Sequence, residues 1–207
     1  MLSPIQFAAM LKSSRPAARS DAVANREQIL QAAAHVVNRQ GPHVPMARFA
    51  EAAGVGVGTL YRHFPARENL IGALQRRAFE YVRDAARDAA GLDTPAPEAI
   101  AHYLNAVIQH RDELVMPLKG GLPLVDPTIS VLQAEIRASL RAVLDRGRAC
   151  GTVSAEVTAG DVIIMGAVLS QPLPYIGDWD AAAQRLAALF VRGLTSADGP
   201  PVGAADG

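Results

Sequence analysis

Residues 44–64 read VPMARFAEAAGVGVGTLYRHF, and the order of small and aliphatic residues in this stretch decides the fold of the surrounding segment. Ala50 is small enough for two short helices to cross closely, and Gly54 supplies the positive φ that a tight turn needs. Aliphatic side chains such as Leu60 then fill the space between the two helices. This spacing predicts a helix-turn-helix whose second helix covers about 56–63.

The segments on either side of the motif have the apolar spacing of helices. Upstream, a stripe through Ile29, Ala33 and Val37 predicts a helix over about 22–40, which would brace the motif into a three-helix unit. Downstream, a longer stripe of the same period predicts a helix over 67–90.

The composition favours an all-α protein. The 207 residues include 39 alanines, the best helix former, and only 5% aromatic residues, which sheets favour. We predict an N-terminal helix-turn-helix domain followed by a larger helical domain. The predicted ranges are a flexible arm at 1–20, the helix-turn-helix domain at 21–66, the helical domain at 67–195 and a disordered tail at 196–207.

Several classes of protein are disfavoured by the same sequence. Its single cysteine, Cys150, excludes an internal disulfide and a cysteine-based zinc site. No apolar run approaches the ~18 residues of a membrane span. The first cation, Lys12, lies downstream of the short apolar N-terminal stretch, which is a poor secretory signal. We therefore expect a cytoplasmic protein without a membrane partner.

The zero net charge hides an asymmetry along the chain. Residues 1–79 carry ten cations and four anions, which gives a net charge of +6, and the remaining residues have a net charge of −6. A basic N-terminal part and an acidic C-terminal part indicate that the N-terminal part binds a polyanion.

The outer face of the motif has side chains suited to DNA. Hydroxyls and a histidine can bond phosphate oxygens, and an arginine can pair bidentately with guanine. Each residue alone is typical of a solvated surface, but several cluster beside the helix-turn-helix. The candidates for phosphate contacts are Thr59, Tyr61, His63 and Arg67, and those for base contacts are Arg48 and Arg62.

The segment from Arg26 to Leu74 resembles the DNA-binding domain of the TetR/AcrR family of bacterial transcriptional regulators. The resemblance is carried by FAEAAGV at 49–55 and GTLYRHFPARENL at 58–70, with ILQAAA at 29–34. It covers about a quarter of the chain, and the rest agrees in helical layout and length.

This resemblance implies a homodimer that binds double-stranded DNA with the helix at 56–63 in the major groove. It implies that Thr59, Tyr61, His63 and Arg67 hold phosphates, and that Arg48, Val57, Gly58 and Arg62 face bases. It also implies a body that binds a small-molecule effector and passes the signal through the helix at 67–90. Repression at a palindromic operator is the commonest behaviour of the family.

The resemblance places the dimer interface on the last two long helices. Small residues there would allow close approach, and larger apolar residues would supply buried area. The alternative is that these residues pack only inside one subunit. The interface candidates are Val162, Met165, Gly166, Leu169, Leu186, Phe190 and Leu194.

The effector pocket is expected among the helices of the body. Few charges point into this region, which favours an apolar or aromatic effector over a phosphorylated one. Ordinary core packing is the alternative for each residue. The candidates for the lining are Leu104, Ile108, Met116, Leu132, Ile136 and Met165.

Two other functions compete with a regulator. An enzyme is disfavoured because the chain has no nucleophile–base constellation, phosphate loop or cofactor fingerprint, so we expect no catalytic residue and no cofactor. His102 and His110 are too far apart along a helix to chelate one metal ion alone. A protein-interaction module that has lost DNA binding is favoured by Gly56 and Val57, since the groove-facing helix is less polar than is usual in the family.

Overall fold

The computed structural model describes residues 23–115, 126–173 and 175–194. All regular elements in these ranges are helices, and no strand occurs among them, so the all-α prediction is confirmed. None of the described helices is long and apolar enough to cross a membrane. The predicted arm at 1–20 and tail at 196–207 lie outside the described residues.

The described residues form two compact units. The N-terminal unit comprises 23–74, and the C-terminal unit comprises 75–115 with 126–194. The boundary between them falls inside the long helix Arg67–Gly91 rather than at its start. The first two turns of this helix belong to the N-terminal unit, where they bury apolar side chains such as Leu70.

The N-terminal unit contains three helices and the start of a fourth. They are α1 (23–40), α2 (Met46–Ala52), α3 (Val57–His63) and α4 (Arg67–Gly91). Gly41, at φ 84°, follows α1 and donates its amide to the Val37 carbonyl. The predicted bounds of these helices agree with the structure to within one or two residues.

The C-terminal unit surrounds one central helix. Helix α5 packs against each of the three helices that follow it, and apolar side chains from all of them form one core. The elements are α5 (Ala96–Gln109), a 3-10 turn (Arg111–Glu113), α6 (Ile129–Ala149), α7 (Ala159–Leu169) and α8 (Trp179–Gly193).

Two helix starts show how side chains fix the ends of the elements. A reciprocal capping pair begins α7, where the Thr158 amide donates to Asp161 at 2.7 Å and the Asp161 amide donates to Thr158 at 3.3 Å. Before α6, Asp126 accepts from the Thr128 amide at 2.9 Å and forms a turn, and the helix begins two residues after Pro127. Hydrogen bonds from Thr128 and Thr158 lower the pKa of Asp126 and Asp161 respectively.

Two glycines of the C-terminal unit lie where a neighbouring element leaves no room for a side chain. A Cβ added at Gly147 would lie 2.5 Å from a Val153 methyl carbon and 2.6 Å from the Ala96 Cβ. At Gly166 the same atom would lie 3.3 Å from the Tyr103 hydroxyl oxygen. These positions need the absence of a side chain because neighbouring elements occupy that space.

We expect Gly147→Ala to lower the free energy of unfolding by about 1–3 kcal/mol, because the added methyl overpacks a closed site. Gly91 is the matched control, since it also lies in a helix but has nothing within 4 Å of an added Cβ. Gly91→Ala should leave stability unchanged or raise it by about 0.5–1 kcal/mol. Urea unfolding followed by circular dichroism compares the two, and equal effects would contradict the packing account.

Candidate functional site

The turn between α2 and α3 is held by backbone geometry. Gly54 adopts φ 64°, a conformation that costs other residues about 1–2 kcal/mol. The Val55 amide then donates to the Ala50 carbonyl at 3.0 Å, and the Gln28 side chain of α1 donates to the Ala53 carbonyl at 3.0 Å. Both bonds fix the angle at which α3 leaves the turn.

Helix α3 has one buried side and one exposed side. Leu60 is fully buried, and Phe64, which follows the helix, lies under the Arg26 guanidinium with 5.1 Å between the guanidinium carbon and the ring centre. The opposite side exposes Tyr61 and Val57, which are 46% and 42% accessible. Exposed Gly58 and Arg62 and half-buried Thr59 and His63 complete the predicted set on this helix.

Arg67 has a structural role beyond the one that was predicted. Its guanidinium donates to the Pro42 carbonyl at 2.6 Å, and the guanidinium carbon lies 6.0 Å from the centre of the Phe49 ring. The side chain therefore ties the start of α4 to the segment after α1. Nearby, Asn69 accepts from the Ala66 amide at 3.0 Å and caps the same end of the helix.

Arg48 lies apart from the candidates on α3. Its side chain forms an ion pair with Glu51 one turn along α2. It lines a shallow cleft against α1 together with His35 and Arg39, and none of the α3 candidates lines this cleft. The structure thus brings the predicted residues of α3 together on one helix and sets Arg48 beside α1.

The C-terminal unit encloses a cavity of about 150 Å³ among helices α4, α5, α6 and α7. Most of its wall is apolar, and polar groups enter from one side of α6 and from the end of α7. The apolar and aromatic lining residues are Phe79, Val82, Tyr103, Val107, Leu114, Ile136, Ile163 and Ala167, and the remaining ones are Gln133, Arg137 and Ser170.

Of the six residues predicted to line a pocket, Ile136 lines this cavity. One position along a helix turns the side chain by about 100°, so the neighbours of the lining residues face elsewhere. Leu104, Ile108 and Leu132 are buried next to Tyr103, Val107 and Gln133, and Met165 lies two positions from both Ile163 and Ala167. Met116 lies outside the described residues.

The sequence also contains a signal for the face of α6 that lines this cavity. Gln133 and Arg137 flank Ile136 at a spacing of four residues, and a tyrosine at 103 interrupts an otherwise aliphatic stripe. Polar groups on an inward stripe mark a cavity better than aliphatic residues do, because a closed core excludes them.

Two side chains near the end of α5 that could bind a metal, those of His110 and Glu113, have partners within the protein. The His110 ring nitrogen Nδ1 lies 2.5 Å from the Tyr81 hydroxyl, and Glu113 accepts from Arg77 at 2.7 Å. Across the described ranges no three histidine, cysteine or acidic side chains gather as metal ligands would.

The two helices predicted to form a dimer interface are apolar on two sides. Val162, Gly166, Leu169 and Leu194 are buried in the core of their own unit, and Met165 and Phe190 are half-buried. Among the candidates only Leu186 is exposed. The exposed apolar face of α7 and α8 consists of Ile164, Val168, Leu186 and Leu189, which are 45–63% accessible.

Residues 29–74 match the family model described as bacterial regulatory proteins, tetR family. Among curated proteins, the chain is 31% identical over 98 residues to the HTH-type transcriptional regulator LuxR of Vibrio harveyi, a match that covers 47% of this chain. The chain spans about half the length of that relative, 48%.

Solved structures resemble the chain over most of its length. A TetR transcriptional regulator from Streptomyces coelicolor, SCO0520, superimposes with a TM-score of 0.58 at 28% identity, covering 82% of this chain and 97% of the other. A TetR transcription regulatory protein from Mycobacterium vanbaalenii gives a TM-score of 0.59 at 27% identity, covering 85% and 98%. The family resemblance found in the sequence is thereby confirmed. The family and these neighbours are transcriptional regulators, not enzymes.

We expect Arg67→Ala to lower the free energy of unfolding by about 1–2 kcal/mol, because it removes a hydrogen bond and a cation–π contact. Arg62→Ala is the matched control: Arg62 is exposed, so its loss should change stability by no more than about 0.5 kcal/mol. Thermal unfolding of both variants without DNA measures the difference. Equal stability would show that Arg67 does not hold α4.

Proposed function

We propose that this chain is a ligand-responsive DNA-binding transcriptional regulator of the tetR family, a proposal supported by the match of residues 29–74 to that family's model and by the likeness to solved TetR regulators. In this proposal it is a repressor that binds a palindromic operator as a homodimer. A small, mainly apolar effector releases it from the operator. The observation that carries the proposal is the exposed face of α3 on a turn fixed by Gly54.

The exposed face of α3 supplies two kinds of DNA contact. The hydroxyls of Thr59 and Tyr61 and the ring of His63 suit phosphate oxygens, which set position and affinity. Arg62 suits guanine, and the exposed methyls of Val57 suit a thymine methyl. Of the two arginines first considered for bases, we favour Arg62, since Arg48 is paired with Glu51.

A dimer follows from the small size of one recognition helix. A seven-residue helix reaches few base pairs, so two copies on half-sites ~34–36 Å apart, or multiples of that, would double the contacts. The exposed apolar face of α7 and α8 is the surface that we assign to this contact. Burial of such side chains against a second copy is favourable, whereas their exposure in a monomer is costly.

Effector control requires that the cavity and the recognition helix share a moving part. Helix α4 is continuous from Arg67, which holds the segment after α1, to Phe79 and Val82, which line the cavity. An effector that fits only one position of α4 would shift the population between two spacings of the recognition helices. Such a coupling typically changes DNA affinity by about 1–3 kcal/mol.

Selection of duplexes from a random pool by the purified protein is expected to enrich a palindrome. On that palindrome, Tyr61→Phe should weaken binding by roughly 3–10-fold on every sequence, because it removes one phosphate hydrogen bond. Arg62→Ala should weaken binding by about 10–100-fold and relax the preference at one base position. Fluorescence anisotropy with the palindrome and its single-base variants separates the two effects.

Arg141→Gln is the control for these variants, because Arg141 is an exposed arginine on α6 of the C-terminal unit. It should bind the palindrome as the wild type does. If no sequence is enriched and duplex DNA does not bind in dilute buffer, the protein-interaction module becomes the better reading. If Tyr61→Phe and Arg62→Ala both bind normally, the assignment of α3 is wrong.

We expect Leu189→Glu to convert the dimer to a monomer, because it places a charge in an apolar interface. Val131→Glu is the control, since Val131 is 58% accessible, close to the 54% of Leu189, but lies on α6. Sedimentation velocity at micromolar concentration distinguishes the two masses. A dimer that survives Leu189→Glu would place the contact elsewhere.

A further inference from the structure

A tyrosine hydroxyl lies at the cavity of the C-terminal unit. Tyr103 is 1% accessible and lines the cavity, and its hydroxyl forms no hydrogen bond to another described residue. Burial raises the pKa of this hydroxyl, so it is protonated at neutral pH and acts as a donor. A ligand that supplies an acceptor inside the cavity can form a hydrogen bond with this donor.

Two further donors line the same cavity from α6. Gln133 is half-buried and Arg137 is exposed, and their spacing of four residues puts both on one side of the helix. Neither side chain bonds to another described residue. The Ser170 hydroxyl, at the end of α7, already donates to the Ala167 carbonyl at 2.8 Å.

The lining is unbalanced in charge. It includes one guanidinium, and no carboxylate occurs among the described residues that form it. A guanidinium pairs with a carboxylate through two parallel hydrogen bonds, a geometry that neutral ligands do not offer. The polar side of the cavity therefore selects an anion, while Phe79, Val107 and Ile136 select an apolar body.

The volume limits the size of that body. An engineered apolar cavity of about 150 Å³ in another protein holds one benzene ring. The present cavity has a volume of about 150 Å³, so one ring fills it. A single-ring body therefore matches the volume that the described lining residues provide.

We propose that the cavity binds a single-ring aromatic carboxylate, whose ring lies on the apolar wall and whose carboxylate accepts from Arg137 and Tyr103. This rests on the proposed function, in which the cavity is the effector site, and it narrows the mainly apolar effector to a monoanion.

Isothermal titration calorimetry of the full chain with benzoate, benzamide and toluene tests the proposal without DNA. Benzoate should bind, and the two neutral probes of the same shape should bind at least roughly tenfold more weakly. Arg137→Gln should weaken benzoate by about tenfold and leave toluene unchanged within about twofold. Arg141→Gln, one turn further along α6 and outside the lining, should bind benzoate as the wild type does.

Tyr103→Phe separates a binding role from a structural one. Because its hydroxyl is unpartnered, the unliganded variant should melt at the same temperature as the wild type or higher. It should nevertheless bind benzoate roughly 3–10-fold more weakly. A variant that loses stability without losing benzoate affinity would overturn the role of Tyr103 in binding.

The remaining outcomes distinguish this inference from the proposed function. Equal affinity for toluene and benzoate, equal effects of Arg137→Gln and Arg141→Gln, or no binding of any probe would overturn the inference and leave the DNA-binding proposal intact. Benzoate binding with the predicted pattern but without any change in operator affinity would support the inference and remove the effector step from the proposed function.

Discussion

The close crossing of α2 and α3 around Gly54 is the constraint on which the rest of the structure depends. The positive φ of this glycine and the bond from the Val55 amide to the Ala50 carbonyl set the direction of α3. Leu60 then buries one side of the helix, so the other side has to face outward. A shift of the α3 sequence by two positions would rotate its side chains by about 200°, burying the polar face and exposing Leu60. The packing that stabilises the unit therefore also determines which side chains of α3 a partner can contact.

Much of the fold could be predicted from the sequence, because the helix signals are local. Gly41 and Gly54 end their helices through backbone conformations that depend on the residue alone, and Thr158 and Asp161 cap α7 through contacts three residues apart. The start of α6 is harder to predict, because Asp126 uses its carboxylate for a turn, and local patterning does not separate a turn from an N-cap when a proline follows.

The sites were harder to predict than the helices, because their residues depend on rotation about a helix axis. A stripe of buried aliphatic residues is about 100° wide, so periodicity does not tell Leu104 from Tyr103 as a cavity residue. Two arginines also have partners within the protein that residue type alone does not reveal: Arg67 binds a carbonyl 25 positions away in sequence, and Arg48 pairs with Glu51 along its own helix. The dimer candidates showed the same ambiguity, since a helix with two apolar sides has one in the core and one exposed.

The central claim is that the exposed face of α3 contacts the phosphates and bases of a duplex. The most direct test is the dissociation constant of the wild-type protein for its selected duplex, measured across a range of salt concentrations. The account predicts that the logarithm of the association constant falls linearly with the logarithm of the salt concentration, with a slope of about −0.9 for each phosphate contacted. An affinity that does not respond to salt, or one that is equal for the selected and a scrambled duplex, would contradict it.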